Sequence, residues 1–142
     1  MLKKIAESWN WMGIDPVELI SENKFGNVIF KNSDGSYWRI IPEELHCYQI
    51  ANDLKELKKV QRTTEFIEDW DMTKIVELAE SSHGKLKPGY KYYLVIPSVL
   101  GGEYSSENIR SVPFEEVIGV SGELGNQIKD LPDGAKIKLS AS

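Results

Sequence analysis

The stretch GNVIFKNSDGSYWRIIP, residues 26–42, has the pattern of a β-hairpin. Residues 26–31 and 37–42 are rich in aromatic and β-branched side chains, and the polar run from Asn32 to Gly35 separates them. Two such runs around a short turn are typical of paired antiparallel strands. Glycine readily adopts the positive φ angle that a hairpin turn requires. We therefore expect a hairpin here, with Gly35 in a left-handed conformation.

Helices and further strands are predicted on both sides of the hairpin. Apolar residues at helical spacing predict helices over residues 2–12, 53–60 and 73–82, and another from about Thr64. Asp15 and Pro16 offer an N-cap and a first-turn proline, so a short helix is predicted through Ile20. Additional strands are predicted at residues 47–51, 91–96 and 109–112.

The order of these elements predicts the fold class. Strands and helices interleave, but not with the strict strand–helix–strand rhythm of a parallel sheet. We predict an α+β fold, in which a mixed, mainly antiparallel sheet contains the hairpin and is surrounded by helices. A length of 142 residues is typical of one domain. We therefore expect a single domain over residues 1–142, with its last helix closing on a Pro-Asp-Gly turn at residues 132–134.

The last predicted helix begins at Pro113 and contains three glycines, Gly119, Gly122 and Gly125. Its apolar stripe consists of Phe114, Val117, Ile118, Ser121, Leu124 and Ile128. A glycine inside a helix costs roughly 1 kcal/mol relative to alanine, so three of them need a compensating role. Two explanations remain open: close packing of the helix against the sheet, or approach of a partner chain to the helix backbone.

Composition indicates a globular protein of the cytoplasm. Hydrophobic residues make up 41% of the chain and charged residues 27%, which argues against disorder. The sequence has no recognisable secretory signal or membrane span, so we expect no membrane partner. The single cysteine, Cys47, cannot form an internal disulfide, which suits a reducing compartment.

The net charge of −5 restricts the class of partner. A net acidic protein is repelled by phosphate backbones, so direct binding to nucleic acid is not expected. Residues 65–71 carry four carboxylates and no cation. Such an acidic surface suits a basic protein partner, although acidity that serves only solubility is at least as common.

No residue pattern predicts a catalytic, cofactor or metal site. His46 and Cys47 are neighbours in a predicted strand, where adjacent side chains point to opposite faces, so they are not expected to share a proton. Gly101 and Gly102 lack the following lysine and serine or threonine of a phosphate-binding loop. We therefore do not expect an enzyme.

The carboxylates Glu65, Glu68 and Asp69 fall on one face of the helix predicted from Thr64. Three aligned carboxylates could bind magnesium in a nuclease or a phosphatase. Such sites usually collect ligands from separate elements and include a basic residue, which is not placed here. A helix face that meets solvent or a partner is the favoured interpretation.

Four tracts keep a common order over roughly residues 15–138. They are FGNV (25–28) with GSYWRI (35–40) and PEEL (42–45), then EF (65–66) with DW (69–70) and MT (72–73), then LVIP (94–97) with LGGEY (100–104) and NI (108–109), and finally QIKDLPDG (127–134). Each tract alone is weakly specific. Together they resemble a bacterial family of type VI secretion immunity proteins, formerly listed as a domain of unknown function.

The resemblance implies a small cytoplasmic antidote that binds and blocks a toxic effector delivered between bacteria, often a DNase. It implies no catalysis and no cofactor, and the surface that contacts the toxin diverges within the family. Larger members attach this module to an additional amino-terminal domain. Two alternatives stay open: a regulatory or scaffolding module for a partner unrelated to toxins, and an enzyme with an unrecognised site.

Charge and aromatic character suggest which residues contact the toxin. Carboxylates can steer a basic enzyme by long-range attraction, and a tyrosine can act as a rigid anchor. Trp38 and Trp70 are expected in the core instead. The predicted contact residues are Glu65, Glu68, Asp69, Asp71, Glu103, Tyr104 and Glu107.

Overall fold

A computed structural model describes residues 1–130 of the chain. In these residues five α-helices and six β-strands follow one another. Their order is α1 (Leu2–Trp9), β1 (Pro16–Glu22), β2 (Val28–Asn32), β3 (Tyr37–Ile41), β4 (His46–Ala51), α2 (Leu54–Gln61), α3 (Thr64–Asp71), α4 (Thr73–His83), β5 (Tyr90–Leu94), β6 (Ile109–Pro113) and α5 (Phe114–Ile128).

Strands β1 to β4 form one antiparallel sheet in sequence order, and β5 pairs with β6 in a second antiparallel sheet. The α+β class with a mainly antiparallel sheet is therefore confirmed. The extent of the single domain, residues 1–142, stays a prediction. The Pro-Asp-Gly turn at residues 132–134 lies outside the described residues.

The predicted hairpin is confirmed as β2 and β3. Phe30 pairs with Trp38 across the two strands, and Gly35 has a φ angle of +88° in the turn. The turn is closed by the Gly35 amide, which donates to the Asn32 carbonyl at 2.9 Å. The carboxylate of Asp34 also accepts a hydrogen bond from the Ser36 amide at 3.0 Å. Sequence-local contacts thus account for the accuracy of this prediction.

The predicted short helix from Asp15 to Ile20 is wrong, because residues 16–22 form strand β1 instead. The Asp15 amide donates to the Asn32 side chain at 2.6 Å, and the Ser33 amide donates to the Asp15 carbonyl at 2.8 Å. These bonds attach Asp15 to the hairpin rather than to a helix N-terminus. Pro16 has no amide hydrogen, which is tolerated at the first residue of an edge strand.

The other predicted elements are confirmed within one or two residues, apart from helix 2–12. That helix ends at Trp9 and continues as a 3₁₀ turn over Asn10–Met12, which Gly13 closes with a φ angle of +73°. Pro113 is the last residue of β6 and the N-cap of α5, so the last helix begins one residue later, at Phe114.

Helices cover both faces of the four-stranded sheet. On one face α1 and α5 pack against the sheet, and Trp9 donates from its indole nitrogen to the Ile118 carbonyl at 3.2 Å. On the other face, side chains of α2 and α3 pack against Ile29 and Tyr37. Helix α4 forms a separate smaller core with the β5–β6 pair. Alternating residues of β2 and β3 therefore face different helices.

The glycines of α5 pack against α1 and the turn that follows it. A Cβ atom on Gly122 would lie 2.4 Å from the Ser8 carbonyl oxygen, and one on Gly125 would lie 2.9 Å from the Trp11 ring. A Cβ atom on Gly119 would meet only the far end of the Lys4 side chain, at 2.8 Å. The glycines therefore do not pack against the sheet, and the explanation based on sheet packing is wrong. Their place is a close helix–helix contact within the chain.

This contact predicts opposite effects for two glycine-to-alanine substitutions in α5. Gly122→Ala should lower the free energy of unfolding by about 1–3 kcal/mol, because the Ser8 backbone must move away. Gly119→Ala should be neutral or stabilising by up to about 1 kcal/mol, because the lysine side chain can move and alanine favours the helix. Urea unfolding of both variants measures the difference. Equal changes in the two variants would contradict the assigned packing.

Candidate partner-binding cleft

An open cleft of about 640 Å³ lies between the turn after β3 and the junction of α3 with α4. We call it the acidic cleft, because carboxylates outnumber cations among its ionisable groups. Its lining residues are Arg39, Glu43, Glu44, Glu68, Asp69, Met72, Thr73, Lys74, Ile75 and Tyr104.

The floor of the acidic cleft is a buried polar network centred on Arg39, whose side chain is 2% exposed. Arg39 donates from Nε and Nη2 to the Asn27 side-chain oxygen, at 3.2 and 2.8 Å. Asn27 in turn donates from Nδ2 to both carboxylate oxygens of Glu43, at 3.1 and 2.9 Å. A buried charge is tolerated only when its hydrogen-bonding capacity is used in this way. The network therefore ties β3 to the loop before β2 and to the turn at residues 42–44.

Arg39 also holds helix α3 in place. Its Nη1 atom donates to the Asp69 carboxylate at 2.5 Å, and its guanidinium lies 5.2 Å from the centre of the Trp70 ring and 5.8 Å from that of Phe66. Helix α3 has no fully buried residue of its own. Cation–π contacts and a partly desolvated ion pair thus supply much of its attachment to the sheet.

Two residues beside the acidic cleft have strained backbones. Leu45 and Met72 have φ angles of 50° and 49°, in the left-handed region that large side chains rarely adopt. Leu45 follows the turn that carries Glu43 and Glu44, and Met72 separates α3 from α4. Backbone strain of this kind costs on the order of 1–3 kcal/mol and tends to occur at functional sites. Both residues are C-caps: the Leu45 amide donates to the Pro42 carbonyl at 3.0 Å, and the Met72 amide donates to the Glu68 carbonyl at 3.2 Å.

Glu43 is a buried carboxyl group with an altered pKa. Burial raises its pKa to about 7, although the hydrogen bonds from Asn27 and the charge of Arg39 act in the opposite direction. The group is therefore close to half protonated at neutral pH. Glu44, the next residue, is exposed, so the two neighbouring carboxyl groups of the turn differ in their contact with solvent.

Three of the seven predicted contact residues come together at the acidic cleft: Glu68, Asp69 and Tyr104. Glu65 and Asp71 lie elsewhere on α3, and Glu103 and Glu107 are exposed in the segment before β6. Asp69 is not a free carboxylate, since it is paired with Arg39, but its side chain remains 64% exposed. Trp38 and Trp70, which were expected in the core, are only partly buried and pack against core residues.

The network residues Asn27, Arg39 and Glu43 were missed from the sequence. The available signal was Arg39 itself, a charged residue inside the apolar run from Tyr37 to Ile41. A charge at a core-facing position of a strand requires partners, but the sequence did not indicate which residues those are. Two of them are 12 and 30 residues away along the chain.

The described residues contain neither a candidate metal site nor a helix able to cross a membrane. Within residues 1–130, no three or more His, Cys, Asp or Glu side chains form a group that could hold a metal ion. Over the same residues, no helix is both long and apolar enough to cross a membrane.

Comparison with known proteins identifies one family. A family model described as T6SS immunity protein Tdi1, C-terminal, matches residues 51–125, which is more than half of the chain. The match covers α2 to α4 and most of α5, and includes Glu68, Asp69 and Tyr104 of the acidic cleft. It is shorter than the resemblance over residues 15–138 and leaves out the hairpin. No curated protein matches the chain significantly.

The raised pKa of Glu43 predicts a pH dependence of stability. Between the ordinary carboxyl pKa of 4.5 and about 7, the folded protein binds more protons at this group than the unfolded chain does. The free energy of unfolding should therefore fall as pH rises through this window, by on the order of 3 kcal/mol in total. Glu43→Gln cannot ionise and should lack this decrease.

Urea unfolding of both proteins between pH 4 and 8 measures this contribution. All other ionisable groups are common to the two proteins, so the difference between the two profiles isolates Glu43. The difference should be small near pH 4 and largest above pH 7. Parallel profiles would show that Glu43 titrates normally in the folded protein.

Proposed function

Since the chain belongs to the type VI secretion immunity family whose model matches residues 51–125, we propose that it binds a cognate effector and neutralises it by stoichiometric association. The effector is proposed to be a nuclease that acts in the cytoplasm, where this chain would meet it. Binding to the nuclease itself, rather than to its nucleic-acid substrate, fits the net charge of −5.

The observation that carries this proposal is the acidic cleft. Glu44 and Glu68 are exposed carboxylates at the cleft, and Glu65 and Asp71 extend the negative charge along α3. Enzymes that bind nucleic acid present basic surfaces to phosphate groups. A concave acidic surface is complementary to such a basic surface in both charge and shape.

The side chains at the floor of the cleft favour binding over catalysis. All three guanidinium nitrogens of Arg39 donate to protein oxygens, and both Glu43 oxygens accept from Asn27. These groups hold one another and stabilise the surface. The Cys47 thiol is buried, and burial raises its pKa to about 12, so it is not an activated nucleophile. A non-enzymatic inhibitor is thus the function that the chemistry supports.

A titration tests whether neutralisation is stoichiometric. We expect a gene beside the one for this chain to encode the effector, and the purified effector is assayed for nuclease activity on plasmid DNA with increasing amounts of the purified chain. Activity should disappear near an equimolar ratio, because each inhibitor molecule occupies one toxin molecule. Complete protection far below equimolar amounts would contradict binding as the mechanism and would indicate enzymatic modification of the toxin.

The acidic helix α3 is expected to govern the rate of association. Reversing both charges in Glu65→Lys/Glu68→Lys changes the local charge by four units, and should slow association by roughly tenfold or more at low salt. The difference should shrink towards molar salt, where the screening length is about 3 Å. Dissociation should change little, because exposed ion pairs contribute only about 0–1 kcal/mol each.

A control with the same net charge separates position from overall charge. Glu116 and Glu123 are exposed on α5, beside the α1 surface and away from the acidic cleft lining. Glu116→Lys/Glu123→Lys should slow association much less than the α3 variant does. Surface plasmon resonance at several salt concentrations measures both rates. Equal slowing in both double variants would remove α3 from the proposed interface.

A further inference from the structure

The segment between β5 and β6 forms a closed loop around one side chain, Asn108. Asn108 donates from Nδ2 to the carbonyls of Ile96 and Glu103, both at 2.9 Å, and accepts from the Ile96 amide at 2.9 Å. Its backbone carbonyl also accepts from the Val95 amide at 2.9 Å. One residue thus connects both ends of residues 95–104, which we call the apolar loop. These four hydrogen bonds restrain the backbone of the loop.

Glycine is required where the apolar loop crosses itself. A Cβ atom on Gly102 would lie 1.7 Å from the Ile96 carbonyl oxygen, so no other residue fits there without a backbone shift. The Gly102 amide donates to the Pro97 carbonyl at 3.0 Å. Gly101, with a φ angle of +90°, turns the chain into this position. Gly101 and Gly102 therefore allow the two ends of the loop to come together.

The apolar loop exposes large apolar side chains. Val95, Ile96, Val99 and Tyr104 are each 45–54% exposed, and they are four of the ten exposed large hydrophobic residues within residues 1–130. Single exposed apolar residues are ordinary, but a concentration in one short segment marks an interaction surface. A rigid segment also loses little conformational entropy when a partner binds. The exposed apolar side chains and the restrained backbone both suit a segment that anchors a bound partner.

The apolar loop is continuous with the acidic cleft. Ser98 donates from its hydroxyl to the Glu43 carbonyl at 2.9 Å, and Tyr104 lines the cleft. Burial raises the pKa of the Tyr104 hydroxyl, and the nearby negative charge of Glu43 adds to this effect. Tyr104 therefore adjoins a group of carboxylates, and Ser98 ties the loop to the same turn. The two features belong to one face of the protein.

We propose that the apolar loop is the anchor of the effector interface, and that it receives an apolar patch bordered by lysine or arginine side chains on the effector. This inference rests on the proposed function. It assigns to the apolar loop a second role within the same surface, which is to hold the complex together after encounter. The α3 carboxylates accelerate encounter, whereas Ile96 and Val99 slow dissociation by excluding water from the bound patch. Asn108 and Gly102 keep the loop in the shape that binds.

Charge argues for a basic partner rather than a second copy of this chain. Two copies joined through the apolar loop would bring their acidic clefts towards each other, and each chain carries a net charge of −5. Like charges across an interface oppose association, whereas basic side chains around an apolar patch would meet the same carboxylates favourably.

The test removes apolar surface from the loop without changing charge. Ile96→Ser/Val99→Ser replaces two exposed side chains, so the protein should remain folded by circular dichroism and urea unfolding. Binding to the purified effector, the proposed nuclease, is measured by surface plasmon resonance. Dissociation should be faster by about 30-fold or more, the effect expected of hot-spot residues, while association should change by less than about threefold.

A matched control removes equal apolar surface elsewhere. Val17 in β1 and Leu54 in α2 are 49% and 50% exposed, and neither lines the acidic cleft. Val17→Ser/Leu54→Ser should bind the effector as the wild type does. Loss of binding that is equal in both double variants would overturn the assignment of the anchor to the apolar loop.

Three further outcomes separate this inference from the proposed function. If the wild type binds and inhibits the nuclease, and Ile96→Ser/Val99→Ser does so equally well, the inference is overturned while the proposed function stands. If the wild type does not bind the nuclease at all, both are overturned. A wild type that is dimeric by light scattering, and that the loop variant converts to a monomer, would overturn the inference by assigning the loop to a second copy.

Discussion

The buried guanidinium of Arg39 is the constraint on which much of this structure depends. An uncompensated charge in a protein interior costs several kcal/mol, so each of its partners must be held in position. On the sheet side Asn27 accepts two hydrogen bonds from Arg39 and is itself held by Glu43. From α3, Asp69 accepts a third hydrogen bond and Trp70 supplies a π face. One side chain therefore joins the hairpin, the turn at residues 42–44 and a helix with no buried residue of its own. The shape of the acidic cleft follows from these bonds.

The two adjoining features of this face suit different stages of binding. Exposed carboxylates act over about one screening length and so affect encounter, but each adds little once solvent surrounds the complex. Apolar side chains act only on contact, where they remove water and slow separation. A rigid apolar loop beside an acidic cleft can therefore combine rapid capture with a long-lived complex. An inhibitor that works mole for mole needs both properties, because released toxin becomes active again.

The local sequence pattern was sufficient to predict most helices and strands, but it gave the wrong structure for the segment that forms β1. The hairpin is determined by strand-forming residues and a turn that its own side chains stabilise, so its strands were predicted to within two residues. Residues 15–20 carry helix-start signals, yet pairing with β2 made them a strand. Hydrogen bonds to Asn32, 17 residues away, outweighed those local signals. Strand propensity is weak compared with such tertiary pairing.

The sequence by itself determined the α+β class, the hairpin, the acidic character of α3 and the family, because these depend on composition, periodicity and short motifs. Only the tertiary structure decided that Glu68, Asp69 and Tyr104 share one cleft, that Asp69 neutralises Arg39, and that the glycines of α5 face α1. It also decided that Asn108 and Gly102 close a loop. Each of these facts concerns the distance between side chains or backbone segments that come together only after folding. Periodicity along a chain reports which face a residue occupies, but not which distant residue lies opposite it.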